Sequence, residues 1–412
     1  MGGQSKLDDV ADPIVIVGAG VTAGSAVQTL RKEGHDGGIV VVGEEPDPPY
    51  ERPPLSKEFL RGEQDRPALL LHDAGWYGEQ GVDLRLGTRA VALDDGPGVT
   101  LGDGDRIPAA AVLLATGGRP RILPGAEPSE RIAYLRTITD SERIRPHLEP
   151  GRRLLIVGAG FIGAEVAASA RQRGAEVVLI DVFDVPLQRV LGDEMGAVVA
   201  EIHRANGVDV RMPTGVEAVE ERGDAVVVRL RDGTELEGDL AVVGIGIAPN
   251  VEPAEMSGVA TDNGVVVDEL GRTSVPGVFA AGDVANHFHP VFGRHLRVEH
   301  FDNALKHGAA VARNMLGAGQ PYTDPHWFWS DQYDQNLQYG GFAERWDEIV
   351  VRGSIEDRSF VAFFMVEGRV RAAFGVNRGR EVRRSLKLIA AGATPDAGRL
   401  RDEEIDLRTL TG

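Results

Sequence analysis

The chain contains no cysteine, and this absence excludes several kinds of chemistry. Without a thiol there is no disulfide, no thiolate-bound metal, no iron–sulfur cluster of the usual cysteine-ligated kind and no redox-active cysteine pair. A disulfide reductase is excluded on this ground, and since no other cluster of metal ligands stands out, we expect no metal. Any electron chemistry must therefore use a bound organic cofactor.

Long apolar runs and an excess of positive charge are also missing. No run of about 18 apolar residues occurs, so we expect no membrane-spanning helix. The formal net charge of −19 argues against binding to nucleic acid or anionic membranes, which requires a positive field. Residues 1–12 are polar and lack the apolar core of a secretory signal, so we expect a short disordered lead-in and a cytoplasmic protein.

A glycine-rich pattern occurs twice in the 412 residues, as PIVIVGAGVTAG at Pro13–Gly24 and as RLLIVGAGFIGAE at Arg153–Glu165. Each copy is an apolar run that breaks into Gly-x-Gly, typical of a buried parallel strand that turns into a helix. The first glycine makes the bend, and the second lets a pyrophosphate approach the helix N-terminus. Two copies predict two dinucleotide-binding units.

The first unit begins with a predicted strand at Ile14–Val17 and a helix from about residue 21 to 33. Ala23 occupies the position where a small residue lets the helix pack closely on the strand. A second strand, Ile39–Val42, ends shortly before Glu44, where the fingerprint places an acid that hydrogen-bonds the adenosine ribose. A solvated acid at a strand end is the alternative interpretation of Glu44.

The second unit carries the complete fingerprint at Gly158, Gly160 and Gly163, after a strand predicted at residues 154–157. The next strand, at residues 176–180, ends at Asp181, and no basic residue follows before Arg189. A 2′-phosphate needs an Arg or Lys at this strand end, and a carboxylate there would repel it. The pattern therefore predicts NADH rather than NADPH.

The remaining segments suggest a framework around these two units. A proline-dense loop at residues 48–57 leads into a helix near Ser56 and presents Arg52 and Lys57, although a plain connector is the alternative. Further predicted elements are strands at 110–115, 225–230, 240–243 and 273–283 and a helix at about 302–316. The last 90 residues or so collect aromatic side chains and alternate like antiparallel strands at 360–366 and 369–376, which predicts a separate C-terminal domain.

Taken together, these landmarks resemble the two-dinucleotide-binding flavoproteins, specifically the NADH-dependent ferredoxin reductases of oxygenase systems, with the apoptosis-inducing-factor-like flavoproteins as relatives. The segments that carry the resemblance are Gly18-Ala19-Gly20, YERPPLSK at 50–57, ATGGR at 115–119, Gly158–Glu165, Gly244–Asn250, VFAAGD at 278–283, RVEHFDNA at 297–304 and WFWSDQY at 327–333. They follow the family's order over nearly the whole chain.

The resemblance implies an α/β fold with two Rossmann-like domains, for FAD and NAD, and a C-terminal α+β cap that covers the flavin. The FAD domain would comprise residues 12–118 and 245–323, the NAD domain 119–244 and the cap 324–412. The FAD-binding residues it implies are Gly18, Ala19, Gly20, Ala23, Glu44, Arg52, Lys57, Ala115, Thr116, Gly117, Arg119, Gly246, Gly282 and Asp283. For NADH the corresponding residues are Gly158, Gly160, Phe161, Ile162, Gly163 and Asp181, with Glu299 and His300 matching the nicotinamide side.

Three residues are implied to act in catalysis. Glu165 would face the nicotinamide and pair with Lys57, whose ammonium stabilises negative charge on the reduced flavin in a water-poor site. Trp329 would pack near the flavin and help to set the route to the partner. The alternatives are a helix-surface carboxylate, a solvated lysine and a plain core tryptophan.

The implied reaction is hydride transfer from NADH to FAD, followed by single electrons to an acidic iron–sulfur ferredoxin. Because this chain is also acidic, docking needs a local positive patch, which we predict at Arg378, Arg380, Arg383, Arg384 and Lys387, with Lys306 and Arg313 as extensions. A solvated charge run is the alternative, and a monomer or weak homodimer is expected. A second hypothesis is an apoptosis-inducing-factor-like NADH sensor with slow redox turnover. A water-forming or peroxide-reducing NADH oxidase is disfavoured because such enzymes commonly use a cysteine.

Overall fold

The computed structural model describes residues 12–94 and 98–411, which separate into two compact units. The first unit is formed by the described residues of Met1–Glu51, Leu70–Gly118 and Pro249–Tyr322, and the second by those of Arg52–Leu69, Arg119–Ala248 and Thr323–Gly412. Apart from Asp12, the polar lead-in lies outside the described residues. Across the described ranges, no helix has the length and apolar character needed to cross a membrane.

The described ranges contain strands and helices in the following order along the chain. The strands are β1 (Ile14–Val17), β2 (Ile39–Val42), β3 (Val82–Arg85), β4 (Ala90–Leu93), β5 (Gly98–Leu101), β6 (Arg106–Pro108), β7 (Ala111–Leu114), β8 (Gly118–Pro120), β9 (Ile132–Ala133), β10 (Arg153–Val157), β11 (Glu176–Ile180), β12 (Asp209–Arg211), β13 (Val216–Arg222), β14 (Ala225–Leu230), β15 (Glu235–Gly238), β16 (Leu240–Val243), β17 (Ile247–Pro249), β18 (Val265–Val267), β19 (Val278–Ala280), β20 (Ala285–His289), β21 (Arg294–Arg297), β22 (Trp327–Gln332), β23 (Gln335–Gly341), β24 (Glu348–Ser354), β25 (Ser359–Val366) and β26 (Arg369–Val376). The α-helices are α1 (Val21–Lys32), α2 (Glu58–Arg61), α3 (Ala74–Glu79), α4 (Ile138–Ile144), α5 (Phe161–Arg173), α6 (Gln188–Ala205), α7 (Glu252–Glu255), α8 (Phe301–Met315), α9 (Gly379–Ala390) and α10 (Ala397–Arg401).

The first unit is built on a parallel sheet in the order β19-β7-β1-β2-β3. Successive side chains of β1 point to opposite faces. Ile14 and Ile16 pack with Leu30 of α1 and Val311 of α8 on one face, and Val15 and Val17 pack on the other face against residues of the small antiparallel sheet β4-β5-β6. A sheet covered on both faces explains why β1 and β2 are continuous apolar runs.

The second unit contains another parallel sheet, in the order β12-β11-β10-β16-β9. Leu155 and Val157 of β10 pack together with Val226 and Val228 of β14, which belongs to the antiparallel sheet β13-β14-β15. The alanine-rich helix α5 contacts β10 and β11. Both parallel sheets place their strand ends at one edge, where nucleotides bind in such folds.

The C-terminal domain, which is the part of the second unit from β22 onward, is an antiparallel sheet in the order β22-β23-β26-β25-β24. One face packs on α6 through Met195 and Val199. The other face receives α9, and two glycines make room for it. A Cβ at Gly340 would lie 2.6 Å from Leu386, and a Cβ at Gly375 would lie 2.6 Å from Val382.

Arg352 on β24 fixes the end of the chain against this sheet. The side chain is buried and donates hydrogen bonds to four backbone carbonyls, those of Leu400, Asp402, Glu403 and Ile405. It also pairs with Glu381 of α9 at 2.8 Å. A buried guanidinium needs this many acceptors, because each unpartnered donor would cost desolvation energy.

The two predicted dinucleotide-binding units and the α+β C-terminal domain are confirmed. The predicted strands at 14–17, 39–42, 176–180, 225–230 and 240–243 match the structure residue for residue, and the predicted helix at about 302–316 is α8. The predicted strand over Thr273–Asp283 is wrong for its first five and its last three residues, and Gly282–Val284 form a short 3-10 helix instead. Thr273 caps a turn by donating to the carbonyl of Val278, and only Val278–Ala280 pair with β7.

Candidate nucleotide-binding and active sites

The first glycine-rich turn, between β1 and α1, has the geometry of a ligand cradle. Gly18 has a positive φ of 111°, and a Cβ there would lie 2.2 Å from the carbonyl oxygen of Ala115, so no other residue fits. Gly20 ends the turn before α1, and a Cβ there would meet nothing within 4 Å. Open space beside backbone N–H groups at a helix N-terminus fits a pyrophosphate. The buried Ala23 keeps α1 close to the sheet.

Other predicted FAD residues of the first unit lie at the same carboxyl edge. Glu44 is exposed just after β2, and the Ala115–Gly117 segment follows β7. Asn250 fixes this segment through two hydrogen bonds. Thr116 Oγ1 donates to the Asn250 carbonyl at 2.7 Å, and Asn250 Nδ2 donates to the Thr116 carbonyl at 2.9 Å. The structure therefore brings the predicted glycine turn, acid and ATGG segment to neighbouring strand ends.

Gly282 and Asp283 follow β19 at this edge. A Cβ on Gly282, whose φ is +75°, would lie 2.2 Å from the Thr22 hydroxyl. Its backbone N–H donates to Nδ1 of buried His307 at 3.3 Å, and burial together with nearby His289 lowers the pKa of His307 to about 3. Neutral His307 can therefore act as the acceptor that holds this turn. Asp283 is half-buried.

Glu299 and His300, the predicted nicotinamide-side residues, lie just before α8 in the first unit. Glu299 is exposed and pairs with Arg297 at 2.6 Å. Burial lowers the pKa of His300 to about 4, so its ring is neutral at pH 7. Their predicted role toward NADH stays a prediction.

The second glycine-rich turn, between β10 and α5, repeats the geometry of the first. Gly158 has a φ of +104° and a Cβ there would lie 2.3 Å from the Gly244 carbonyl oxygen, whereas Gly160 faces open space. Gly163 is packed against the Gly158 carbonyl oxygen, where a Cβ would lie 1.9 Å away. The three glycines thus divide into bend, ligand approach and close helix packing, as the fingerprint requires.

Asp181, at the end of β11, is turned toward this glycine-rich loop. Its Oδ2 accepts a hydrogen bond from the Ala159 N–H at 2.6 Å and its Oδ1 accepts one from the Phe183 N–H at 3.2 Å. Arg189 lies over the Phe183 ring, 4.8 Å from its centroid. The carboxylate therefore orders the loop, while its predicted recognition of an adenosine ribose stays a prediction.

The remaining predicted cofactor residues of the second unit are less enclosed. Phe161 packs edge-to-face on Phe328, with ring centroids 4.5 Å apart, while Ile162 is 43% exposed. Arg119 and Gly246 are exposed, and Arg52 donates to the Arg136 carbonyl at 2.6 Å. The predicted roles of these residues toward a cofactor stay predictions.

Lys57 and Glu165 form a buried ion pair within the second unit. The Lys57 Nζ lies 2.6 Å from Glu165 Oε2, and each residue is only 4% exposed. Ser56 donates to the same oxygen at 2.5 Å, and Ser330 donates to Oε1 at 2.7 Å. This arrangement satisfies the carboxylate fully, which a buried charge requires.

Trp329 lies on β22 two residues from Trp327, and their rings stack with centroids 5.4 Å apart. Trp327 donates from Nε1 to Gln338 at 3.1 Å, and the Arg383 guanidinium lies 5.8 Å from the centre of its ring. The half-buried Trp329 is thereby connected through Trp327 to α9, the helix that carries the predicted positive patch.

The predicted patch divides into paired and outward-facing cations. Arg378 pairs with Glu381 and Glu403, and Arg384 approaches Asp406 at 3.9 Å. Arg380, Arg383 and Lys387 are exposed and form no ion pair with any residue that the structure describes. Their spacing along α9 places them on one face. Lys306 and Arg313 in the first unit pair with Asp302 and Glu33.

Several residues of the ion-pair environment escaped the sequence reasoning, namely Ser56, Ser330, Gln332 and His203. Ser56 and Ser330 stand inside the YERPPLSK and WFWSDQY segments, so those segments contained the signal. His203 lies on α6. The sequence of α6 does not indicate that the His203 ring reaches this region, because the packing of the helix determines where the ring lies.

Comparison with known proteins agrees with this geometry. Residues 12–308 match the family described as pyridine nucleotide-disulphide oxidoreductase, and residues 327–411 match the one described as reductase C-terminal. The chain is 41% identical over 403 residues to the anthranilate 1,2-dioxygenase system ferredoxin–NAD(+) reductase component of Burkholderia cepacia, covering 97% of this chain and 99% of that protein.

Two further comparisons, one with a sequence and one with a solved structure, match putidaredoxin reductase. The protein from Pseudomonas putida is 36% identical over 407 residues, covering 97% of this chain and 96% of its own length. The crystal structure of the covalent putidaredoxin reductase–putidaredoxin complex superimposes with a TM-score of 0.93 at 36% identity, covering 98% of both chains. Since a family model matches most of the chain and these relatives match it from end to end, the chain belongs to the pyridine nucleotide-disulphide oxidoreductase family, as a flavoprotein oxidoreductase that binds FAD and NAD(H).

Proposed function

We propose that the protein is an NADH:ferredoxin reductase that supplies electrons to an oxygenase. The end-to-end similarity to the reductase component of the anthranilate dioxygenase system carries this proposal. We further propose that the reaction takes place in the cytoplasm, where NADH is available, and that the acceptor is a ferredoxin with a two-iron two-sulfur cluster.

FAD supplies the chemistry that side chains lack, because it accepts two electrons as a hydride and releases them one at a time. We propose that Gly18, Gly20 and Glu44 hold the adenosine diphosphate half of FAD. Asp283 accepts hydrogen bonds from the ribityl chain. The open space at Gly20 supports this assignment. Further contacts are assigned to Ala19, Ala23, Arg52, Ala115, Thr116, Gly117, Arg119, Gly246 and Gly282.

For NADH we propose binding at the second turn through Gly158, Gly160 and Gly163, with Phe161 and Ile162 at the start of α5. Asp181 accepts hydrogen bonds from the ribose hydroxyls of NADH, and its negative charge repels the 2′-phosphate of NADPH. Glu299 and His300 contribute on the nicotinamide side.

Lys57 and Glu165 provide the charge for the transfer. The ammonium would stabilise the negative charge of a reduced flavin, and the carboxylate holds the ammonium in place. Burial strengthens both effects, since the pair is only 4% exposed. No side chain has to act as a nucleophile or general acid.

The docking surface for an acidic ferredoxin is proposed to be α9, with Arg380, Arg383 and Lys387 facing outward and Arg378 and Arg384 beside them. Arg383 contacts Trp327, which stacks on Trp329, so the surface and the aromatic pair are continuous. The proposal includes a monomer or weak homodimer in solution.

Anaerobic stopped-flow absorbance tests the function directly. The flavin should bleach rapidly with NADH and should be reoxidised rapidly when a two-iron ferredoxin is added. Bleaching followed by a persistent charge-transfer band, with negligible reduction of several ferredoxins, would instead establish an NADH-sensing flavoprotein of the apoptosis-inducing-factor type.

A further inference from the structure

The Glu165 carboxylate is held by side chains from separate parts of the second unit. Ser56 and Lys57 contact Oε2, and Ser330 of the C-terminal domain contacts Oε1. Ser330 is completely buried. The C-terminal domain therefore contributes directly to the environment of the Lys57–Glu165 pair.

A chain of hydrogen bonds continues from Ser330 into the domain. Gln332, also fully buried, donates from Nε2 to the Ser330 hydroxyl oxygen at 3.1 Å. The Ser330 proton is committed to Glu165, since a carboxylate only accepts, so Ser330 must accept from the amide. The amide oxygen of Gln332 is consequently directed away from Glu165.

His203 of α6 lies beside Gln332. Burial lowers its pKa to about 4, and the neighbouring Gln332 side chain opposes that effect. Its Nδ1 lies 2.9 Å from the Tyr333 hydroxyl. Nε2 of His203 and Oε1 of Gln332 are both buried, and neither has a hydrogen-bond partner among the residues that the structure describes. A neutral ring with its proton on Nε2 would accept from Tyr333 and present a donor to the Gln332 oxygen.

Ser330 donates to Glu165 and Gln332 donates to Ser330. With the His203 proton on Nε2, the donors of Tyr333 and His203 would also point toward Glu165. We propose that Ser330, Gln332 and His203 are positioning residues for hydride transfer, which hold the Glu165 carboxylate in the orientation that keeps the Lys57 ammonium in place. This proposal rests on the proposed function of the Lys57–Glu165 pair. Such a chain cooperatively strengthens the bond to the carboxylate.

A double-mutant comparison tests whether Ser330 acts through Glu165. Ser330→Ala should slow flavin reduction by NADH on the order of tenfold, the effect of one hydrogen bond to a charged group. In a Glu165→Gln background, Ser330→Ala should alter the rate of flavin reduction less than about twofold, because the carboxylate charge that Ser330 supports is absent. An equal slowing in both backgrounds, or no slowing in the parent, would overturn the proposal.

Two controls separate positioning from general damage. Ser385→Ala removes another fully buried serine of the same domain, which donates to the Glu381 carbonyl of its own helix, and should leave flavin reduction unchanged. Gln332→Leu keeps the Ser330 hydroxyl and should slow reduction by less than Ser330→Ala. If Ser330→Ala does not fold, an unchanged rate in Gln332→Leu is the contradicting result.

Nitrogen NMR of histidine-labelled protein gives a readout independent of activity. With His203→Gln used to assign the signal, the His203 ring should be neutral at pH 7 with its proton on Nε2, and Gln332→Leu should shift that signal. A His203 proton on Nδ1, or a His203 signal that does not respond to Gln332→Leu, would show that the side chains do not interact in the proposed way. Failure of ferredoxin reduction with this NMR result intact would count against the proposed function alone.

Discussion

Lys57 and Glu165 are more informative as a pair than either residue is alone. A buried ion pair is weak evidence for stability, because desolvation offsets the attraction of the charges. Lys57→Met should therefore destabilise the protein by about 3–5 kcal/mol, leaving a buried carboxylate without its counter-charge, and should slow flavin reduction by about 100-fold. Thermal unfolding and anaerobic stopped-flow absorbance measure the two effects.

The double variant Lys57→Met/Glu165→Gln is the matched control. It removes both charges, so most of the lost stability should return. The rate should stay low, because the ammonium is still absent. If the rate recovered together with the stability, the pair would be structural and its proposed catalytic role would be wrong.

Asp181 has an observed contact with the glycine-rich loop and a proposed role in nucleotide preference, and a pair of substitutions can separate the two. Asp181→Ala removes both the acceptor for the Ala159 N–H and the charge, whereas Asp181→Asn keeps one amide oxygen as an acceptor. We expect kcat/KM for NADH to fall on the order of tenfold in Asp181→Ala, with the preference over NADPH narrowed in both variants. Steady-state kinetics with the two nucleotides measures this, and an unchanged NADH/NADPH ratio would place the determinant elsewhere.

At the scale of the secondary-structure element, helix α9 packs against the sheet on one side and exposes cationic side chains on the other. Gly340 and Gly375 admit it to the sheet, and Arg352 ties it to the chain end through Glu381. A rigidly packed helix presents Arg380, Arg383 and Lys387 in a fixed spacing, which suits recognition of an acidic surface.

Changing Arg380, Arg383 and Lys387 together to Glu should raise KM for an acidic ferredoxin at least about tenfold at low ionic strength. The difference should shrink as salt screens the charges. Flavin reduction by NADH should not change. The triple variant Lys32→Glu/Arg173→Glu/Arg272→Glu alters net charge equally at other exposed positions. A similar rise in KM from that control would show a general charge effect rather than docking on α9.

At the scale of the whole molecule, buried histidines make stability depend on pH. The pKa of His203 is lowered to about 4 by burial, and burial together with His289 lowers that of His307 to about 3. Below about pH 6.5 the unfolded chain binds protons at these positions that the folded protein does not bind, so acid favours unfolding.

Stability should therefore decrease as the pH falls from about 6.5 towards 4, by about 1 kcal/mol per pH unit for each such histidine. Thermal unfolding of the flavin-loaded protein followed by circular dichroism at pH 7.5, 6 and 5 measures the decrease. His203→Gln keeps hydrogen-bonding groups and does not titrate, so its melting temperature should fall less steeply. An identical slope in this variant would exclude His203 as a contributor.

The sequence by itself determined the features that depend on local chemistry. Gly18 and Gly158 could be recognised because a strand-to-helix bend needs positive φ, and strands such as Ile39–Val42 because a parallel sheet covered on both faces needs unbroken apolar runs. The absence of cysteine left the electron chemistry to a bound cofactor. The family followed from segments whose order along the chain matched that of its members.

Only the tertiary structure decided which distant side chains meet. The hydrogen bonds from Ser330 to Glu165 and between Tyr333 and His203 join residues far apart in the sequence, and no periodicity encodes such contacts. The same holds for α9, where packing and ion pairs set Arg378 and Arg384 apart from their outward-facing neighbours. A local pattern specifies backbone conformation, whereas the partners of a buried charge depend on how helices and sheets pack, because burial is a property of the assembled core.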